Sequence, residues 1–133
     1  MEVSLAVLAD SANVSVEGKL NILGEFDTVF AKETPTALPM MVLVLRLEAE
    51  PNEAKSYPLE IRVVDEKKEV VGKLGGARVD FPKPPRSGVP RRSQTILNIQ
   101  GAYFPAHGAY GFEVWVGGKL LRRVPLFVLP PTE

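Results

Sequence analysis

His107 is the only histidine in this 133-residue chain, and there is no cysteine. The soft and imidazole ligands that build zinc, copper or nickel sites are therefore missing as a set. A nucleophilic triad would have to be built around His107, in the turn Pro105-Ala106-His107-Gly108. Turns keep polar residues for solvation alone, and that is the simpler reading. Asp10, Asp27, Asp65 and Asp80 fall at or near the ends of extended segments. A sandwich of strands can gather such carboxylates on one rim around Ca²⁺, because a hard cation wants several oxygens. Here no loop carries two carboxylates at alternating spacing, and Asp is also what turn chemistry favours. The expectation is no catalytic residue, no metal and no cofactor.

Two glycine stretches invite a phosphate-binding reading. "VGGKLL" has a Gly-Lys pair but lacks the upstream Gly, the following Ser or Thr, and the helix that a P-loop needs. "GKLGGARV" fails in the same way, and both read better as turns or bulges.

The most polarised segment is the loop "FPKPPRSGVPRR", from Phe81 to Arg92, where four prolines and a glycine oppose regular structure. It presents Lys83, Arg86, Arg91 and Arg92. Between Lys73 and Arg92, six basic residues face one acid, Asp80. Such a patch could meet phosphates or an acidic partner. Without aromatics beyond Phe81 to stack on bases, nucleic acid is not the expected partner. Pro82-Lys83-Pro84-Pro85 matches a PxxP ligand, a cheap match in any Pro-rich loop.

A binding surface is the better lead. In "GAYGFEVWVGGKLLRRVPLFVLP", Tyr110, Phe112, Val114 and Val116 share one strand face and Trp115 lies on the other. Val42 and Val44 likewise stand opposite Met41, Leu43 and Leu45. Apolar residues on both faces mean that the second face is covered, by the chain itself or by a partner. The candidate cover within the chain is the Thr28–Leu38 loop. Phe127 belongs to the run Leu126-Phe127-Val128-Leu129, which stays apolar past Arg122, Arg123 and Pro125. The candidate interaction surface is therefore Trp115, Val42, Val44 and Phe127.

The elements that must position these residues are strands. Alternation marks Val3-Leu5-Val7, the hairpin "NVSVEGKLNIL" with Glu17-Gly18 at its tip, and Met41 to Leu47. It continues in Tyr57 to Val63, expected beside Met41–Leu47 across the Pro51-Asn52-Glu53 turn. "EFDTVFA" reads as a strand or a crossover. "EVVGKLGGARVDF" and "RRSQTILNIQGAYF" are two more extended segments, and the hairpin around Gly117-Gly118 closes the chain. A two-residue loop there sets Glu113 opposite Arg122, and a bulge would shift that pairing. Pro125 cannot donate to a ladder, so the last strand is expected at an edge or bulged. No window has helical periodicity between caps. The fold class is all-β, a single-domain antiparallel β-sandwich of about eight or nine strands, with a closed β-barrel as the alternative.

Composition fits that reading. Hydrophobic residues make up 45% and charged residues 24%, and the formal net charge is zero. Zero net charge opposes a whole-domain field for nucleic acid or an anionic membrane. The N-terminus, Met1-Glu2-Val3-Ser4-Leu5, does not look like a signal peptide, and no apolar run approaches the roughly 18 residues of a spanning helix. A cytoplasmic protein is expected. Twelve prolines beside four Asn, two Gln and no Cys suggest a heat-adapted source.

The segments "EGKLNILGEFDTVFA", "LPMMVLVLRLEAE" and "YPLEIRVVDE", with the closing hairpin, resemble a family of uncharacterised bacterial all-β domains. The resemblance implies a β-sandwich and supplies no catalytic residues. Three functions follow in order. The first is a non-catalytic domain acting by protein contact, either with itself or with another protein. The second is a small-ligand or carbohydrate-binding module using Trp115 or Tyr103 as a platform. The third is an enzyme with carboxylates on one rim.

Overall fold

A computed structural model describes residues 1–53, 55–84 and 86–132. Nine strands follow the chain: β1 Glu2–Val14, β2 Leu20–Phe26, β3 Thr28–Phe30, β4 Thr36–Ala49, β5 Ser56–Val64, β6 Val70–Asp80, β7 Arg91–Phe104, β8 Gly108–Val116 and β9 Lys119–Leu129. They form two sheets, in the orders β2-β1-β4-β7 and β3-β9-β8-β5-β6. The second sheet curls but does not close, so the sandwich stands and the closed barrel does not.

The alternating residues of β4, β5, β8 and β9 meet between the sheets. Leu43, Leu45, Leu47, Leu59, Ile61, Phe112, Val114 and Leu126 are almost fully buried there. Each such side chain stabilises the fold by roughly 1.5–3 kcal/mol through apolar burial.

The connections correct the sequence reading at some points and choose between its alternatives at others. The long strand β4 and its successor β5 are not paired. The turn between them crosses from one sheet to the other, and β4 pairs instead with β1 and β7. "EFDTVFA" is a crossover: β2 ends in the first sheet, and β3 joins the second beside β9 in parallel. That one parallel pair is an exception to an antiparallel sandwich. It also means that β9 is not an outermost strand, because β3 covers its Phe127–Leu129 end. Pro125 lies short of that pairing. The closing turn is a two-residue one, with Gly117 and Gly118 both at positive φ. A bulge past Trp115–Leu120 then moves Glu113 opposite Arg123 rather than Arg122.

A second, smaller core lies on the outer face of the first sheet. Ala9, Val42 and Val44 are buried there, with Leu5, Val7, Ala12, Leu20, Ile22 and Ile96 packed around them. The cover is the far half of the β1–β2 hairpin. It folds back across β4 until its tip reaches β7, where Gln94 Nε2 donates a 3.0 Å hydrogen bond to the Gly18 carbonyl. The bend comes at Asp10 and Gly24. Gly24 has φ +72°, and a Cβ there would collide with the Asp10 carboxylate.

Candidate functional site

β9 alternates cleanly. Val124, Leu126 and Val128 point to the core, so Phe127 and Leu129 point away from it. In β3, Val29 packs on the core and Phe30 points out. The parallel register sets Thr28 beside Phe127 and Phe30 beside Leu129, and residues in register share a face. The result is one apolar surface of Phe30, Phe127 and Leu129, exposed by 61%, 38% and 38%. Ala109 of β8 borders it opposite Phe127. Among the described residues, the outer edge of β3 carries no further strand.

Trp115 is on the same sheet face but not in the same patch. It lies six residues along β8 from Ala109, roughly 20 Å away at the usual strand rise. The ring is half-buried and already partnered. The Arg62 guanidinium sits 4.1 Å from its centroid, and its Nε1 donates to Glu113 Oε1 at 3.1 Å. Arg62 also pairs with Glu60 at 2.7 Å, and Glu60 with Lys73 at 2.8 Å. The hydrogen bond from Lys73, helped by Arg62, holds the Glu60 carboxyl below the usual carboxylate range despite its desolvation. This is a charge network lying over an indole. A sugar stacking on Trp115 would have to displace Arg62.

Val42 and Val44, the other two residues of the expected surface, are 2% and 0% exposed beneath the β1–β2 hairpin. Within the chain they are a second core, covered by that hairpin and not by the Thr28–Leu38 segment. Of the four expected residues, the structure therefore leaves Phe127 in an open apolar patch. It adds Phe30 and Leu129, which the sequence reading missed. The only sequence signal for them was apolar character on both faces of Leu126–Leu129. Their partnership depends on which strand the crossover in "EFDTVFA" reaches, and no local pattern encodes that.

This order of strands belongs to a sequence that matches, over residues 4–129, a family of unknown function, DUF6941. The chain belongs to DUF6941. The search of curated proteins gives no match.

In this DUF6941 domain the basic loop does not form one patch. Arg91 is buried, and its Nη2 donates to the carbonyls of Glu50 (2.9 Å) and Glu53, clamping the β4–β5 corner. Arg92 pairs with Glu48 at 2.9 Å, and Arg78 Nε donates to Ser56 Oγ at 2.9 Å. Lys83 and Arg86 remain on the exposed, irregular stretch. Pro85 of the PxxP match lies outside the described residues.

Several chemistry-bearing residues of the DUF6941 chain are engaged in structural contacts. His107 Nε2 lies 2.7 Å from the Ala31 carbonyl oxygen, tying its turn to the end of β3. Asp65 Oδ1 accepts from the backbone N–H of Lys67 and Glu69, and Glu66 Oε1 from that of Ala109. Glu53 Oε1 meets the Met1 ammonium at 2.6 Å and accepts from the Glu50 N–H. The ammonium is the main cause holding the Glu53 carboxyl below the usual carboxylate range. Among the described residues, no three His, Cys, Asp or Glu side chains gather closely enough to hold a metal ion. Nor is any helix among them long and apolar enough to cross a membrane.

Proposed function

We propose that this domain works by protein contact rather than catalysis, and that it pairs with a second copy of itself through the β3–β9 end of the curled sheet. One observation carries the reading: Phe30, Phe127 and Leu129 form a continuous, exposed apolar face beside an uncapped strand edge. Exposed large apolar side chains grouped in this way mark interfaces, whereas singly scattered ones do not. An open edge strand also offers N–H and C=O groups to another chain. Two copies related by a two-fold axis would bury the same residues on each side.

Sedimentation of the wild type over a wide concentration range tests this. Wild type is expected to shift from monomer to dimer. Phe30→Glu and Phe127→Glu should stay monomeric with unchanged circular dichroism, while Trp115→Ala should dimerise like wild type. A wild type that stays monomeric at the highest concentration reached would refute the pairing. So would dimerisation that both Glu variants leave intact.

A further inference from the structure

The two sheets are laced together along β1 and β9, and on the other flank β6 and β7 meet at one end and part at the other. On the laced side, β1 runs along the free flank of β9, and Arg122 Nη2 donates to the Val3 carbonyl at 2.7 Å. On the opposite side, the Val70 end of β6 and the Phe104 end of β7 stand apart. Between them a cleft of about 270 Å³ opens into the main core.

Its floor is made of Ile61, Phe104 and Phe112, all 2% exposed or less. Val71 and Leu74 form one wall, and Ile99 and Ala102 the other. The mouth is bordered by the free edge of β7 from Asn98 to Tyr103, whose outward backbone N–H and C=O groups meet no further strand among the described residues; Tyr103 on it is 54% exposed. The one charged residue on the lining is Lys73, whose ammonium is held by Glu60 on the outer sheet face.

Two backbone features keep the cleft open. Gly101, at φ +64°, lies opposite Pro39 in the otherwise regular β4–β7 ladder. Beyond that point the alternation changes face, so that Leu38, Ala102 and Phe104 turn into the main core. Gly72 pairs with Val63 on the opposite wall. A Cβ there would make only ordinary contact, 3.7 Å from Val63, so the space beside it is unfilled.

We infer that this cleft is a binding site for a compact, uncharged molecule with an aromatic or short aliphatic body and a single hydrogen-bonding head. The size sets the first part, because pockets for drug-sized ligands run from about 300 to 1,000 Å³ and this one falls just below them. The lining sets the second. A charged group moved onto a floor of Ile and Phe would lose its hydration without a partner, whereas an apolar ring gains contacts there. The rim sets the third, since the open backbone edge of β7 offers both donors and acceptors at the mouth and the side chains of the floor offer none. The inference is independent of the proposed pairing, which uses the opposite end of the second sheet.

The probe is p-cresol, with benzoate as its charged counterpart, followed by amide chemical shifts of the full chain. Saturable shifts are expected at Val71, Gly72, Ile99 and Gly101, with benzoate weaker by roughly tenfold or more. Gly72→Val should fill the cleft and abolish the p-cresol shifts without lowering the melting temperature. Tyr103→Ala, an exposed change, should weaken them if Gly72→Val does not fold. The site is overturned if p-cresol gives no saturable shift up to its solubility, or if the folded variants bind it as wild type does. Benzoate binding as tightly as p-cresol would overturn the assigned ligand chemistry.

Discussion

Gln94 and Gly18 are 76 residues apart in sequence and joined by a 3.0 Å hydrogen bond. The bond marks where the tip of the first hairpin meets the far edge strand of its own sheet. Ala9, Val42 and Val44 on that outer face are thereby removed from water. A face that would otherwise need a partner is closed by the chain itself.

The bend that permits this closure should be sensitive at Gly24. An alanine Cβ would lie 2.9 Å from Asp10 Cγ, in a left-handed backbone conformation. Gly24→Ala is expected to destabilise the domain by about 1–3 kcal/mol, the usual cost of a non-glycine residue held in such a conformation. Urea unfolding gives the number, and amide exchange at Val42 and Val44 should accelerate in the variant. Unchanged stability and protection would mean that the hairpin does not depend on this bend.

Phe112 and Trp115 sit three residues apart on opposite faces of β8, and their truncations should differ. Phe112→Ala empties a fully buried site and is expected to cost roughly 3–5 kcal/mol. Trp115→Ala removes a half-buried ring under Arg62, with a loss of about 1 kcal/mol, the scale of an exposed cation–π contact. Thermal and urea melts of both variants decide. Equal losses would place Trp115 in a core.

Stability should fall in acid, partly through Glu53. Its carboxyl is held below the usual range in the folded state, chiefly by the Met1 ammonium. A group with a depressed folded pKa binds its proton more readily when unfolded. Its contribution is therefore complete above the unfolded carboxylate value and is lost as pH falls through the lower folded one. Glu60, lowered by Lys73 and Arg62, acts in the same direction. Glu53→Gln should flatten the fall in melting temperature below the ordinary carboxylate range and leave the profile above it parallel to wild type. A profile equally steep in acid would assign the acid sensitivity to other groups.

The sequence by itself determined that this is an all-β domain. Period-two alternation in Met41–Leu47 and Tyr110–Val116 can bury one face only as strands, and Gly117-Gly118 can take the positive φ of a tight turn. Alternation is a property of neighbouring residues, so it survives without knowledge of the fold. The tertiary structure decided which strands are partners and what covers each second face. Apolar residues on both sides of β4 and β9 were legible as faces needing cover. However, the same pattern is met by a hairpin folded over Val42 and Val44 and by an open surface at Phe127. Likewise Arg91 reads as one more charge of a basic loop until the β4–β5 corner brings two carbonyls to it. The exposed Phe30–Phe127–Leu129 face arises from a parallel pairing across about a hundred residues. Such a pairing is fixed by the packing of whole sheets; the crossover at Asp27 is one of two readings of "EFDTVFA", but the strand it reaches leaves no local trace in the order of residues.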